Sequence, residues 1–431
     1  MDLRTFIEET RAVEPDEYLE VLEPLDVELQ IAKRMRELDG GPIVLFKRPK
    51  GYDIPVVSNI FSKRRRFMNI LKVSSMVEAY RKLLTAISKP RRGRIRSDAP
   101  FMEVHEDSTR SLPILKHYKR DGGAYMTTSI VIARDYELDV LNASVHRLQV
   151  LDRKRLVIRI VPRHLYRMYK KACDMERDLE VAIVIGCHPL NMLTASSSPP
   201  YGIFELDVAN TISNNRLEVC ELDNGLVVPR EAEIVIVGRI KKDEFHEEGP
   251  FVDITGTYDI VRRQPVLEVE RVLRRENPLY QALLPAGEEH KLLMGFYREA
   301  LIWDYVRRAV PEVKAVRLSR GGCGWLHCFI SIKKEYEGDA KNAILAAFAA
   351  HPSLKLVVVV DEDINIEDTE EVEWAIATRF QPSEDLVILE GVRGSSLDPS
   401  ADQEALITSK LGIDATIPLY KPSDRFRRIY E

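Results

Sequence analysis

Ser129-Ile130-Val131-Ile132-Ala133 is a run of β-branched residues that ends on Arg134, and two runs of the same kind follow, Leu156-Val157-Ile158-Arg159-Ile160-Val161 and Glu233-Ile234-Val235-Ile236-Val237. Branched side chains fit a pleated, half-buried surface, and turn residues separate the runs. From about residue 113 to 265 the chain therefore reads as a β-rich barrel or sandwich, interrupted by one helix at roughly 163–176. Outward from this centre the pattern changes on both sides.

On the N-terminal side, apolar spacing predicts a helix over 15–38, closed by Asp39-Gly40-Gly41-Pro42, then short strands at 43–46 and 54–58, then a helix over 68–88. Lys89-Pro90-Arg91-Arg92-Gly93-Arg94-Ile95-Arg96 is strongly basic but lacks interleaved aromatics, which fits a solvated linker better than an RNA grip. On the C-terminal side, helices at 341–350 and 369–379 alternate with strands at 356–360 and 386–389, an order that predicts α/β architecture with a mostly parallel sheet.

With 431 residues, two or three domains are expected. A net charge of −5 points to neither a general nucleic-acid binder nor a membrane-surface protein. No apolar run approaches the roughly 20 residues needed to span a bilayer. The five cysteines contain no CxxC pair, so reduced thiols in a cytoplasmic protein are expected.

Chemistry concentrates at Glu248-Gly249-Pro250-Phe251-Val252-Asp253, which places two carboxylates around a Gly-Pro break. Carboxylates in different environments can divide the roles of proton donor and anion. An acidic turn is also an ordinary solvated feature. Arg134 at the strand end, placed between Glu248 and Asp253, would keep one of them ionised and hold a substrate carboxylate. His146 and Glu205 read first as ordinary hydrogen-bonded residues; with a phosphate oxygen and water they could also complete the shell of a divalent cation, which spacing alone does not show. The serines in Ala195-Ser196-Ser197-Ser198-Pro199-Pro200 could cradle a phosphate, although a ligand-free Ser-Pro loop is commoner. Arg320-Gly321-Gly322-Cys323-Gly324-Trp325 lacks phosphate-loop spacing and leads into a strand, so a tight turn is expected. Asp361-Glu362-Asp363 suits helix capping or an interface, and Lys410 could meet a phosphate as a point charge.

Three stretches together, Glu248–Gly256, Leu356–Gln381 with Trp374-Ala375-Ile376-Ala377-Thr378-Arg379, and Ser409–Thr416, resemble the UbiD-type decarboxylases, which use prenylated flavin mononucleotide; the resemblance covers nearly the whole length. It implies an N-terminal α/β region (1–110), a split β-barrel cofactor domain (111–287) and a C-terminal α/β oligomerisation domain (288–431). It implies Arg134, Glu248 and Asp253 as catalytic residues, with Asp253 first and Glu248 second as the group that moves the proton. Cofactor contacts are expected at Ile132, Ala133, Arg134, His146, Arg147, Leu148, Ser197, Ser198 and Lys410. Glu205 and His146 are the expected ligands of a divalent metal, manganese first, with potassium as a further candidate. Many members place an asparagine ligand five positions before the catalytic arginine; counted from Arg134 that position is Ser129.

Asn142–Val150 and Gly322–His327 look most like the archaeal branch that converts trans-anhydromevalonate 5-phosphate to isopentenyl phosphate. Arg147, Lys410 or the 89–96 stretch could supply its second anion site. The competing readings are an aromatic-acid decarboxylase, such as the 4-hydroxy-3-polyprenylbenzoate enzyme, and a non-catalytic flavin-binding subunit. Expected partners are a small carboxylic acid, a flavin prenyltransferase as cofactor supplier, and further copies of the chain in a homodimer or homohexamer.

Overall fold

The computed structural model describes residues 1–426, 428 and 429. The chain divides into two compact units. The first comprises Met1–Ser75, Lys82–Asp253 and Tyr258–Leu293, and the second Met76–Arg81, Ile254–Thr257 and Met294–Glu431.

The first unit is built on a barrel of six strands: β1 (Tyr125–Asp135), β2 (Val140–Val150), β3 (Arg155–Ile158), β4 (Leu179–Ile185), β5 (Ile234–Glu248) and β6 (Arg262–Arg274). The order is β5-β4-β1-β2-β3-β6, and β6 pairs back onto β5 to close the ring. Every pairing around it is antiparallel. Closure removes the open edges that a run of β-branched strands would otherwise expose. Val131, Leu148, Leu156, Ile183, Ile236 and Leu267 fill the core, and helix α1 (His164–Asp174) adds Leu165 and Met168 to it. The barrel alternative is thus the one adopted.

Two β-bulges matter for the site. Between Met126 and Ser129, β1 shifts register against β2. Between Val237 and Gly238, β5 shifts against β6. At the second, a Cβ on Gly238 would lie 2.2 Å from the carbonyl oxygen of Glu268, so only glycine fits.

The N-terminal region departs from its periodicity. Residues 15–38 do not form one helix: Pro15–Glu17 is a single 3-10 turn, Tyr18–Val21 is a strand and only Gln30–Glu37 is α-helical. Pro24 interrupts the run, and Tyr18–Val21 pairs in parallel with Ile43–Phe46. Long-range pairing outweighs local propensity there. The segment 68–88 is two helices, Arg64–Leu71 and Met76–Ser88, parted at Lys72, whose φ is +54°. Part of the basic linker, Arg94–Arg96, joins a small sheet beside Glu218–Glu221.

The second unit holds a five-stranded sheet of β7 (Glu312–Leu318), β8 (His327–Lys333), β9 (Leu356–Asp361), β10 (Leu386–Arg393) and β11 (Ile407–Ala415), in the order β7-β8-β9-β11-β10. Only the three central strands are parallel; both edge strands pair antiparallel, so the sheet is mixed. Asp361 and Asp363 both accept hydrogen bonds from the fully buried guanidinium of Arg379, a structural tie between the end of β9 and the helix Thr369–Arg379.

Gly238→Ala forces the β5–β6 closure apart. It is expected to destabilise the protein by about 1–3 kcal/mol, as overpacking does, and to lower the melting midpoint in a thermal scan.

Candidate active site

Arg147 lies on β2, and Glu248 ends β5. Beyond Glu248 the chain turns through Gly249, with φ at +107°, and Pro250 into a two-residue strand, Phe251–Val252, that pairs with Tyr258–Asp259. This turn carries Glu248, Asp253 and Asp259 to one guanidinium. Arg147 Nε donates to Glu248 Oε1 at 2.9 Å and Nη2 to Glu248 Oε2 at 2.8 Å. Nη1 donates to Asp253 Oδ2 at 2.5 Å, and Nη2 also to Asp259 Oδ2 at 3.0 Å. The guanidinium lies over the Phe251 ring, 4.5 Å from its centroid.

Burial alone would lower the Arg147 pKa, but the carboxylates of Glu248, Asp253 and Asp259 outweigh it and raise the value. Asp259 is under the opposite pressure: burial pushes it up, while Arg262 and Arg147 pull it below the usual carboxylate range. A guanidinium has five N–H donors. The four bonds to the carboxylates leave one Nη1 N–H without a partner among the described residues. Arg159 forms no ion pair among the described residues; burial, then the nearby Arg262 and Arg147, hold its pKa below the ordinary value. His290 is within electrostatic reach of Asp253, which opposes the lowering that its burial causes. The ring Nδ1 accepts the Ala286 N–H at 3.1 Å, so its proton sits on Nε2.

Arg134 is elsewhere. Its Nη1 pairs with Asp139 at 2.7 Å and its Nη2 donates to the Gly225 carbonyl. It does not stand between Glu248 and Asp253; Arg147 does. Ile132, Ala133 and Leu148 are fully buried, and Ala133 and Leu148 belong to the barrel core. The Ser197 hydroxyl donates to the Thr194 carbonyl at 2.6 Å and closes the end of helix Pro189–Ala195. Ser198 follows it in the same loop. Lys410 lies in the second unit, 5% exposed, where its ammonium donates to the Pro352 carbonyl at 2.7 Å and sits over the Phe348 ring. Burial lowers its pKa to about 8. That ammonium is hydrogen-bonded inside its own unit.

A second polar group lies around β2 and helix α2 (Glu205–Ile212). Glu205 is buried, and its Oε2 accepts the Ala143 N–H at 2.7 Å. Burial pushes its carboxyl up to about 8, with only backbone N–H groups opposing. Asn142 Nδ2 donates to Ser144 Oγ, and Ser144 Oγ meets His146 Nε2, both at 2.9 Å. His146 Nδ1 lies 3.0 Å from the Arg159 carbonyl, so Nδ1 carries the proton and Nε2 the lone pair. Burial lowers the His146 pKa to about 4, which keeps that lone pair available at neutral pH. Ser129 faces His146 across the β1–β2 register, and its buried hydroxyl has no hydrogen-bond partner among the described residues. No group of three or more His, Cys, Asp or Glu side chains suited to a metal occurs among the described residues.

Asp259 and Asn142 were not singled out from the sequence. Asn142 had a signal: five positions before Arg147, it takes the place that counting from Arg134 gives to Ser129.

The comparisons agree with this architecture. Residues 94–288 match the 3-octaprenyl-4-hydroxybenzoate carboxy-lyase Rift-related domain, 12–87 its N-terminal domain and 291–415 its C-terminal domain. An anhydromevalonate phosphate decarboxylase of Methanocaldococcus jannaschii is 43% identical over 415 residues, covering 95% of this chain and 96% of that protein. The UbiD-class enzyme HmfF from Pelotomaculum thermopropionicum, solved in complex with FMN, superposes with a TM-score of 0.96 at 40% identity, covering 100% of this chain and 97% of that one. An evolved dimeric form of HmfF, solved with prenylated FMN, gives 0.91 at 38% identity over the same shares.

Glu205 yields a pH prediction. Its folded pKa lies above the ordinary 4.5, so its contribution to stability is complete below pH 4.5 and is lost as pH rises through about 8. In metal-free protein, Glu205→Gln is expected to flatten the fall in melting temperature across that window, measured by scans at stepped pH. Three domain matches in order, a relative alike over nearly the full length and a superposition over the whole chain establish that this protein belongs to the UbiD carboxy-lyase family.

Proposed function

We propose that the chain decarboxylates trans-anhydromevalonate 5-phosphate to isopentenyl phosphate with prenylated FMN. The observation that carries the reading is Arg147 held by Glu248, Asp253 and Asp259 beside the cation Arg159. The near full-length relative of that name supports the substrate. Prenylated FMN supplies the electron sink for the pair left on carbon when CO2 departs.

The chain's own residues bind, orient and protonate. The remaining Arg147 Nη1 N–H receives the substrate carboxylate, and Asp253 delivers the proton to carbon. General acid help of this kind contributes roughly 10²- to 10⁴-fold. Arg159, without a carboxylate partner, suits a phosphate.

A divalent cation fits the second polar group. Glu205 is a buried acid without a neighbouring cation among the described residues, the condition that a bound metal relieves. Asn142, beside the Ala143 N–H that anchors Glu205, and the His146 lone pair complete the donor set. Asn142 is linked to the His146 Nε2 through the Ser144 hydroxyl by two contacts of 2.9 Å, whereas the Ser129 hydroxyl makes no such contact among the described residues; Asn142 is therefore the better third ligand. Manganese suits these oxygen and imidazole donors.

The five unpaired cysteines support a cytoplasmic setting, and no described helix is long and apolar enough to cross a membrane. A flavin prenyltransferase would supply the cofactor, and a homodimer or homohexamer is the working assembly.

In cofactor-loaded enzyme, Arg147→Lys is expected to lower CO2 release from anhydromevalonate phosphate by about 100-fold or more, because a point charge replaces a multidentate fork. Arg134→Lys should stay within about threefold of wild type. The reverse ranking would overturn the assignment, and release from hydroxybenzoates alone would replace the substrate. Manganese retention, measured by metal analysis after gel filtration, should fall in Asn142→Ala and persist in Ser129→Ala.

A further inference from the structure

We propose that Gln149 and Gly122 form a clamp that sets the Glu248–Asp253 turn against Arg147, a positioning role in proton delivery. The proposal rests on the decarboxylase reading above. Gln149 follows Arg147 by two residues on β2 and so projects to the same side of the strand. Its amide is buried, at 4% exposure, and all of its bonds go to the turn or its supports. Oε1 accepts the Gly249 N–H and the Tyr125 hydroxyl, both at 2.9 Å. Nε2 donates to the Gly122 carbonyl at 3.0 Å. Gly122 N–H in turn donates to the Pro250 carbonyl at 2.8 Å.

These bonds admit one amide orientation. Flipped, the amide would set its oxygen against the Gly122 oxygen and its NH2 group against the Gly249 N–H. The backbones also approach too closely for any side chain between them. A Cβ on Gly122 would lie 2.1 Å from the Gly249 oxygen and 2.9 Å from Gln149 Nε2. Tyr125, fully buried, packs its ring 4.5 Å from that of Phe251, in the middle of the turn.

The strand that carries the arginine therefore also holds the segment that carries the acids. Glu248 precedes the clamped Gly249, and Asp253 lies two residues beyond Phe251, against which Tyr125 packs. If the clamp opens, both acids drift relative to Arg147 while the barrel, with its own pairings, stays intact. A displacement of about 1 Å at a reacting group can cost about 100-fold in rate.

The test uses full-length, cofactor-loaded wild type, Gln149→Leu and Gln149→Glu, with Tyr125→Phe as the mildest change. The readouts are flavin absorbance, melting temperature, kcat, KM, the solvent deuterium isotope effect on CO2 release, and crystal structures of wild type and Gln149→Leu. Gln149→Leu is expected to keep its flavin and its KM, to lose about 100-fold in kcat, to show a larger solvent isotope effect, and to have the turn displaced from Arg147. A structure with the turn in place, or a kcat within about threefold of wild type, overturns the clamp. Should Gln149→Leu fail to fold, Gln149→Glu, which keeps the bonds received by Oε1 and loses the one to Gly122, decides by the same readouts. A wild-type holoenzyme that releases no CO2 from any unsaturated acid discards the decarboxylase reading, and the paired structures still decide whether Gln149 holds the turn.

Discussion

A single buried guanidinium organises the candidate site. Arg147 binds three carboxylates that come from the end of one barrel strand and from the hairpin beyond it. Glu248 is fully buried, and burying such a charge is costly unless it is paired and hydrogen-bonded. Removing Arg147 would strand that charge, at a cost of about 3–5 kcal/mol. Much of the structure serves to keep this group together. The barrel is closed, so β2 and β5 cannot drift apart. The Gly249-Pro250 turn returns the chain toward the arginine, and glycines stand where two backbones come closest.

The polar group around Glu205 follows a different logic. Arg147 and its acids are hydrogen-bonded to one another, whereas Glu205 has backbone donors and no cation partner among the described residues. The first arrangement is satisfied as it stands. The second is poised to gain from a ligand that carries positive charge. The two meet on β2, where residues 142, 144 and 146 alternate with 143, 145 and 147 across the sheet. One strand thus presents Asn142, Ser144 and His146 on one side and Arg147 on the other.

Much of this was legible in the sequence. The β-branched runs at 129–133, 156–161 and 233–237 mark barrel strands, and the Glu248–Asp253 spacing marks the acids. The choice of arginine was not legible, and the reason is geometric. Arg134 and Arg147 lie on neighbouring antiparallel strands, and a bulge between Met126 and Ser129 shifts their register. Only the three-dimensional pairing shows which of them faces the acid turn. Asp259 escaped notice because it reaches Arg147 through hairpin pairing with Phe251, a contact that local periodicity does not encode. The residues 15–38 misled for a related reason: their helical spacing was overridden by parallel pairing with Ile43–Phe46.

The most direct measurement is a crystal structure of the prenylated-FMN holoenzyme with an unreactive analogue of the acid. The account predicts the analogue's carboxylate within hydrogen-bond distance of Arg147 Nη1, with Asp253 facing the carbon that loses CO2. A carboxylate bound to Arg134 instead, with Arg147 turned away from the ligand, would contradict it.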